Sequence, residues 1–381
     1  MKFDYSEEQQ LVADSVRRFV QQEYGFETRH GIIASPEGWS RDTWTKLAGI
    51  GLLGLPFPTE HGGFGGRAID LFSVMEAFGE GLLVEPYLAT VGLAGRLVAR
   101  AGSDAQKSEI LPAIAEGRLV MAFAHIEDGA RYDLGHVNAV AAPARSSVTP
   151  AKAGTRSTFT LSGRKRVVMH APCADKLVVS ARDRGAVRLF VVERGDVTLH
   201  PFVTLDGMRA ADVELREARA QPLGEGDAMP AIEEAVDYAT ALLCAEAVGA
   251  MKSANDATLA YLKTRKQFGV PIGSFQALQH RMVDMVIDCE QARSMASLAC
   301  ARVDGDIDAM ERARIVSAAK IKIADAARHI SQEAVQLHGG MGMSDELKVS
   351  HTFRRLTMIA RELGDVDHHL ERFARVTARR G

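Results

Sequence analysis

The sequence has little cysteine and no long uncharged apolar run. The four cysteines, Cys173, Cys244, Cys289 and Cys300, include no Cys-x-x-Cys pair. This spacing argues against a zinc site and a disulfide framework, and it favours free thiols in a reducing compartment. The start of the chain carries no apolar signal-peptide region, and no later segment has the length of a transmembrane helix. We therefore expect a cytoplasmic protein without a membrane anchor.

An excess of charge of either sign is also absent. The chain has 46 Lys and Arg residues against 49 Asp and Glu residues, which gives a formal net charge of −3. No region is basic enough to make nucleic acid the expected partner. A length of 381 residues exceeds one ordinary core, so two or three packed units are expected.

The residue pattern divides the chain into three regions. Residues 1–120 predict helices broken by glycine-rich loops, of which 51–66 is the clearest. Residues 121–228 contain short β-favouring runs whose spacing favours a small antiparallel barrel or sandwich. Residues 229–381 are helical and long enough for a four-helix bundle. The predicted fold class is α+β, with an N-terminal helical domain, a middle β domain and a C-terminal bundle.

The boundaries of individual elements follow from the same patterns. The predicted strands cover 159–161, 167–169, 177–179, 187–192 and 197–199, with turns at 162–163, 183–185 and 194–196. The first predicted bundle helix has an apolar face that includes Leu243. The later bundle helices are predicted over 276–302, 310–337 and 344–376.

Two blocks of unusual residues interrupt the helical C-terminal region. The first is Arg265-Lys266-Gln267-Phe268-Gly269, followed by Phe275-Gln276, and the second is Gln336-Leu337-His338-Gly339-Gly340. A guanidinium in a fixed fork, amide side chains and a glycine pair near helix ends suit a pyrophosphate and an adenine. The alternative is a surface arginine and a glycine pair that merely ends a helix.

These blocks resemble the flavin-binding pattern of the acyl-CoA dehydrogenase family. Residues 55–63 resemble the Pro-Glu-x-x-Gly-Gly loop of that family, and 161–165 with 174–179 resemble its β-domain motifs. The resemblance covers nearly the whole chain and implies the acyl-CoA dehydrogenase fold. The ending, 353–356 followed by 364–370, is similar to the small subunit of pimeloyl-CoA dehydrogenase and to subunits of actinobacterial α2β2 dehydrogenases of sterol side chains.

The resemblance implies FAD-dependent α,β-dehydrogenation of an acyl-CoA thioester by a dimer or tetramer. The FAD would lie across a subunit boundary, with Arg265 at its pyrophosphate and Phe268 near the adenine or the ring edge. The other residues implied at the cofactor are Gln267, Gln276, Gln336, Gly339 and Gly340. The implied partners are a bulky or dicarboxylic acyl-CoA, an electron-transfer flavoprotein or similar acceptor, and a second copy or a paralogous subunit.

The chain departs from the family pattern at two places beside the flavin ring. Val167-Val168-Met169 stands where the family has Trp-x-Thr, and 125–133 replaces the stretch Thr-Glu-Pro-x-Ala-Gly-Ser-Asp. These changes remove a stacking aromatic ring and a hydroxyl that would hydrogen-bond flavin N5. We expect weaker flavin binding or a different approach to the ring.

The catalytic base is a further departure from the family pattern. The family usually carries a glutamate in a Glu-Gly-Thr turn before the last helix, and alignment of that helix places Asp365 there. Asp365 could instead be a helix N-cap. Some relatives carry the base on the first bundle helix, where this chain has Ala239 and Thr240. Glu246 lies two turns further along, and its alternative role is an ion pair with a bundle arginine such as Arg293.

Three functions stay open at this point. The first is a self-sufficient FAD-dependent acyl-CoA dehydrogenase. The second is a catalytically reduced subunit whose paralogous partner supplies the base, and the third is an acyl-CoA oxidase. The tandem His368-His369 lacks a further ligand at helical spacing, so we expect no metal site.

Overall fold

A computed structural model describes residues 7–144 and 159–378 of the chain. Residues 1–6, part of the start in which no signal-peptide region was found, lie outside this range. None of the described helices is long and apolar enough to cross a membrane.

The N-terminal region is helical, with loops where glycine is frequent. Its helices are α1 (Glu7–Glu23), α2 (Phe26–Ala34), α3 (Arg41–Gly49), α4 (Phe72–Gly81), α5 (Arg96–Ala101) and α6 (Asp104–Ala115), with a π-helix at Leu88–Gly95 before α5. Ser40 starts α3 by accepting a hydrogen bond from the Thr43 amide, and Ser103 with Gln106 forms a capping box on α6. The predicted loop 51–66 contains only a 3-10 turn at Thr59–His61.

The middle region forms a seven-stranded sheet. Its strands are β1 (Met121–Ala124), β2 (Val140–Pro143), β3 (Phe159–Met169), β4 (Lys176–Asp183), β5 (Ala186–Glu193), β6 (Thr198–Val203) and β7 (Arg209–Leu223). Strands β2, β3, β7, β5 and β4 are neighbours in this order, and β4 returns to β2 through the pair Val140–Arg182. The sheet therefore closes into the small, mainly antiparallel barrel that the spacing predicts.

The predicted turn at 162–163 is wrong. Ser162 and Gly163 lie inside β3, at a bulge where the register against β7 shifts. A Cβ on Gly163 would lie 2.8 Å from Cα of Ala139, so glycine is needed for the close backbone approach. Strands β1, β2 and β7 were not predicted either, because β1 and β2 are alanine-rich and β7 alternates charged with small residues.

The C-terminal region contains a hairpin and five helices. They are α7 (Met229–Thr264), the hairpin strands β8 (Lys266–Gln267) and β9 (Val270–Pro271), α8 (Gln276–Arg302), α9 (Ala309–His338), α10 (Lys348–Ile359) and α11 (Val366–Ala378). Helix α9 lies against α8, α10 and α11. The prediction of one helix over 344–376 is wrong, because Leu363 and Gly364 have φ of 58° and 119° and break it.

Contacts between residues group the chain into two compact units. We call them the helical unit, which comprises the described residues up to Gly31, Arg67–Leu83 and the chain from Thr240 on, and the barrel unit, which comprises Ile32–Gly66 and Val84–Ala239. The division into domains 1–120, 121–228 and 229–381 stays a prediction.

Candidate functional site

The first unusual block forms a rigid exposed hairpin at the end of α7. The amide of Arg265 donates to the carbonyl of Tyr261, and the amide of Ile272 donates to the carbonyl of Arg265. Phe268 and Gly269 both have positive φ, as a two-residue turn between β8 and β9 requires. The Arg265 side chain is exposed and pairs with no carboxylate among the residues described, and Phe268 is 91% exposed.

The second block ends α9 with an open glycine pair. Gly339 has φ of 62°, and its amide donates to the carbonyl of Gln336. A Cβ placed on Gly339 or on Gly340 would meet no atom within 4 Å. The backbone at this helix end is therefore accessible to a bound molecule.

A ring stack brings the two blocks together in the helical unit. Tyr261, one turn before Arg265, stacks on His338 with ring centroids 4.6 Å apart. His338 is buried and donates from Nδ1 to the carbonyl of Ala334 at 2.8 Å. The sequence leaves open whether His338 donates to a phosphate or packs in the core, and in the structure it packs between the two helix ends.

The seven residues implied at the cofactor are all exposed in this chain. They are Arg265, Gln267, Phe268, Gln276, Gln336, Gly339 and Gly340. A guanidinium, amide groups and glycines without steric cover fit a diphosphate, and the exposed Phe268–Phe275 pair fits a flat ring. The chemistry of this donor set is therefore compatible with FAD.

Glu246 is buried in an ion pair with α10. The Glu246 side chain lies on α7. Its Oε1 accepts from Nε of Arg355 at 2.6 Å, and its Oε2 accepts from Nη2 of Arg355 at 2.9 Å. Arg355 also donates from Nη1 to Oε2 of Glu362 at 3.3 Å. The expected ion pair exists, but the suggestion of Arg293 as the partner is wrong. Arg293 pairs with Glu76 instead.

A close crossing of α4 and α7 fixes the backbone that carries both buried glutamates. A Cβ on Gly79 would lie 1.9 Å from the carbonyl oxygen of Glu246, and one on Gly249 would lie 1.8 Å from that of Glu76. Only glycine permits this approach. Burial raises the pKa of Glu76, while Arg293 opposes the rise. Helix contact at this crossing leaves little freedom to redirect either side chain.

Asp365 is the N-cap of α11. Its Oδ1 accepts the amide hydrogen of His368 at 2.9 Å, and its carbonyl accepts that of His369. The side chain is half-buried, and its Oδ2 makes no hydrogen bond within the described residues. The capping role that the sequence allowed is therefore present in the structure.

Sequence reasoning missed the residues that hold the turn before Asp365. Lys320 of α9 donates from Nζ to the carbonyls of Glu362 and Gly364 at 2.6 and 2.8 Å. His369 donates from Nε2 to the carbonyl of Leu363 at 3.1 Å. Burial lowers the pKa of Lys320 to about 8. The sequence feature that could have indicated this role is the position of Lys320 on the apolar face of an alanine-rich helix.

The barrel unit has apolar side chains where the family places a ring and a hydroxyl. Val167 is 47% exposed with φ of 49°. Ile126, whose carbonyl accepts from the Arg166 amide, is also exposed. In the interior, Lys165 donates to Oε1 of Glu127 at 2.7 Å and to Oγ of Ser180 at 3.0 Å. Burial lowers the pKa of Lys165 to about 8, although Glu127 opposes the shift.

One group of side chains has the spacing of metal ligands. Ligand atoms of His30, Asp345 and His351 lie within 4.8 Å of one another. Arg29 donates to Nδ1 of His351 at 3.0 Å, so the ring hydrogen is on Nε2, which donates to the carbonyl of Asp345. His351 then has no lone pair left for a metal, and Arg354 already pairs with the Asp345 carboxylate.

An apolar groove of about 420 Å³ also lies in the barrel unit. Trp39, Pro172 and Phe202 form much of its wall. Its thiol, Cys173, has a pKa raised to about 12 by burial, and its cation, Arg209, donates to the carbonyls of Ile33 and Ser35. The groove therefore offers no reactive nucleophile, and of its two charged residues Arg209 is already engaged while Glu37 is an exposed carboxylate.

Comparison with protein-family models finds matches to two parts of the chain. A family model of the acyl-CoA dehydrogenase N-terminal domain matches residues 6–118, and one of the acyl-CoA dehydrogenase C-terminal domain matches residues 207–377. Among similar proteins is the acyl-CoA dehydrogenase IpdE2 of Mycolicibacterium smegmatis. It is 27% identical over 96% of this chain and 98% of its own.

Two solved structures show the same architecture over the whole chain. One is the ChsE4-ChsE5 complex from Mycobacterium tuberculosis, with a TM-score of 0.87, 25% identity and 99% of each chain covered. The other is PigA with FAD and proline, with a TM-score of 0.88, 26% identity and complete coverage of both chains. The predicted fold and the predicted similarity to actinobacterial dehydrogenase subunits are confirmed.

Proposed function

Because this chain belongs to the acyl-CoA dehydrogenase family of FAD-dependent oxidoreductases, we propose that it is the base-less subunit of a heteromeric enzyme. In this proposal it helps to clasp FAD while a paralogous chain supplies the catalytic base. The enzyme would perform α,β-dehydrogenation of an acyl-CoA thioester in the cytoplasm, with an electron-transfer flavoprotein or similar acceptor. When bound, FAD supplies the acceptor for the hydride that leaves the β carbon.

The exposed residues at the helix ends support the FAD part of the proposal. Arg265 would pair with the diphosphate, and Gly339 and Gly340 would let it approach the backbone of α9. Gln267, Gln276 and Gln336 would donate from their amides, and Phe268 would pack against a flat ring. All seven are displayed on the surface of one chain, which suits a cofactor shared with a second chain.

The observation that carries the base-less assignment is the state of the two candidate carboxylates. Both oxygens of Glu246 accept from Arg355, and Oδ1 of Asp365 caps α11. A base for a carbon acid must reach the α carbon with an unshared lone pair and a raised pKa. Gly364 is the single glycine between α10 and α11, and Leu363 precedes it. If this glycine is matched to that of Glu-Gly-Thr, in place of the helix alignment that gives Asp365, the residue at the base position would be Leu363, which has no carboxylate.

Two further features support a second chain. On α8, Val283, Val286 and Ile287 are exposed at helical spacing, so an apolar face is available for association. One of the similar structures, that of ChsE4 and ChsE5, is described as a complex of two proteins.

The two buried arginines of the helical unit already have partners, which supports a bulky apolar acyl chain over a dicarboxylic one. Arg29 and Arg355, the buried arginines of this unit in the described residues, already bind internal groups: Leu82 O and His351 for Arg29, and two glutamates for Arg355. A second substrate carboxylate would need a cation without such partners.

Activity of the separate and mixed chains tests the proposal. We expect this chain, supplied with FAD and a bulky acyl-CoA, to produce no enoyl-CoA alone. After co-expression with a paralogous chain that carries a glutamate at a base position, the mixture should turn over with an artificial electron acceptor. Turnover by this chain alone would contradict the base-less assignment. Peroxide formation in the mixture without the acceptor would instead identify an oxidase.

A self-sufficient dehydrogenase is the second candidate, because Oδ2 of Asp365 has no hydrogen bond within the described residues. In that case Asp365→Asn would abolish the turnover of the chain alone. The same variant should leave the mixed enzyme active if the paralogous chain holds the base.

A further inference from the structure

We infer that Lys320 and His369 are positioning residues, which hold the turn between α10 and α11 in the conformation that receives the acyl-CoA. This inference rests on the proposed function, because the family resemblance is what places this turn beside the substrate. Neither side chain is assigned contact with substrate or flavin. Both act on the backbone of residues 362–364.

Three consecutive carbonyl groups are held from the interior of the bundle. Lys320 is fully buried and donates to the carbonyls of Glu362 and Gly364. His369 is buried and donates to the carbonyl between them, that of Leu363. That carbonyl can only accept, so the ring hydrogen of His369 is on Nε2, and the other ring nitrogen, Nδ1, faces Oγ of Ser317 at 3.3 Å. The carbonyls of residues 362–364 are therefore all satisfied by side chains of α9 or α11.

The turn needs such support because its backbone is unusual. Leu363 has φ of 58°, a left-handed conformation that is costly for a residue with a Cβ. Residues of this kind persist when their surroundings determine them fully, and they concentrate at functional sites. Gly364 is also constrained, since a Cβ there would lie 2.4 Å from Nε2 of His369. The side-chain directions of Leu363 and Asp365 thus depend on Lys320 and His369.

The charged groups around the turn connect it to α7. Glu362 in the turn pairs with Arg355, which binds Glu246. The charges that face Lys320 are those of Glu362, Asp365 and Arg355, together with the thiol of Cys244. Burial outweighs the attraction of the carboxylates, and the two carbonyls give the ammonium its hydrogen-bond partners. A substitution at Lys320 should therefore alter the conformation of the turn most, and that of the residues proposed to bind FAD least.

The experiment compares Lys320→Met with Lys322→Met, a matched change on the same helix. Lys322 pairs with Asp288 and does not touch the turn. In the assembled, FAD-loaded enzyme, Lys320→Met should raise KM for the acyl-CoA about tenfold or more, because two hydrogen bonds from a charged donor are lost. The FAD dissociation constant should stay unchanged in both variants, and Lys322→Met should keep the wild-type KM.

Two further comparisons complete the test. The first sets the change in kcat against the change in KM, and the second uses a pair of variants at His369. His369→Leu should also raise KM, and His369→Gln, which keeps a donor, should recover part of the loss. If kcat falls in Lys320→Met while KM stays constant, the turn is held as inferred but carries the base, which contradicts the base-less assignment alone. If Lys320→Met and His369→Leu both keep wild-type KM and kcat, the inference is overturned.

Hydrogen exchange separates this inference from the proposed function. If the wild-type assembly is inactive, the proposed function fails, but the holding of the turn can still be measured in this chain without catalysis. We expect the amides of 364–369 to exchange faster in Lys320→Met than in Lys322→Met at equal global stability. Equal exchange in the two variants would refute the positioning role.

Discussion

The carboxylate of Glu246 and the guanidinium of Arg355 form a bidentate pair, with heavy-atom distances of 2.6 and 2.9 Å, inside the helical unit. The residues are 5% and 3% exposed, so the pair is shielded from solvent. It joins α7 to α10 and, through Glu362, to the turn before α11. A residue that sequence patterning offered as a catalytic base is thereby a structural anchor of the bundle.

Breaking this pair should destabilise the protein strongly. Glu246→Gln removes the charge that is paired with the buried Arg355 guanidinium, and loss of one member of a buried pair costs about 3–5 kcal/mol. Urea unfolding measures the loss. The double variant Glu246→Leu with Arg355→Met should cost less than the sum of the single changes. A loss below about 1 kcal/mol in Glu246→Gln would show that the pair contributes little.

Substitutions at Asp365 should separate capping from catalysis. Asp365→Ala removes the acceptor for the His368 amide and should lower the free energy of unfolding by about 1 kcal/mol. Asparagine is also a good N-cap, so Asp365→Asn should keep stability nearly unchanged. Under the base-less assignment, Asp365→Asn should also retain the activity of the mixed enzyme. A loss of turnover in that stable variant would restore Asp365 as the base.

Removal of the Arg265 guanidinium should weaken FAD binding. In the proposed site Arg265→Met would delete a charge-assisted hydrogen bond to the diphosphate, and we expect the dissociation constant of FAD to rise about 10- to 100-fold. Lys263→Met is the matched control, because Lys263 is another exposed cation two residues earlier. Titration of the assembled apoprotein with FAD, followed by flavin fluorescence, measures both constants. Equal affinities in the two variants would contradict the role of Arg265.

Two buried lysines should each contribute stability that rises with pH above about 8, against the opposite contribution of the buried thiols, whose pKa values burial raises. The pKa values of Lys320 and Lys165 are lowered by burial from 10.5 to about 8. Between these values each of the two lysines binds fewer protons in the folded protein than in the unfolded chain, so its contribution to the free energy of unfolding increases as pH rises. Each lysine contributes a slope of at most about 1.4 kcal/mol per pH unit.

Lys320→Met should remove the contribution of one lysine to this pH dependence. Denaturant unfolding at pH 8, 9 and 10 provides the measurement, and Lys322→Met should keep the wild-type slope. An unchanged slope in Lys320→Met would mean that its pKa is not depressed in the folded protein.

Periodicity and motifs predicted the architecture because both are local. The helical stretch 276–302 coincides with α8, and most of the β-favouring runs lie in the observed strands. The sequence predicts a turn at Gly163 instead of the observed bulge, because a glycine inside a long strand looks the same in sequence whether the chain reverses or bends. The break at Leu363 was missed, because leucine gives no local sign of a left-handed conformation.

The partners of buried charges could not be predicted in the same way. Glu246 and Arg355 are far apart in sequence, and Arg293 was as plausible a partner by composition. Lys320 gave a faint sign as a cation on an apolar stripe, yet nothing in the sequence indicates that it holds the carbonyls of Glu362 and Gly364. Long-range packing decides which carboxylates stay available for chemistry.

Anaerobic bleaching of the flavin tests the central claim most directly. The absorbance of FAD is recorded after a bulky acyl-CoA is added, first to this chain with FAD and then to its assembly with a paralogous chain that carries a base. If this chain lacks the catalytic base, the oxidised spectrum should persist with this chain alone, and rapid bleaching should occur in the assembly. Bleaching by this chain alone, at a rate that matches the assembly, would contradict the account.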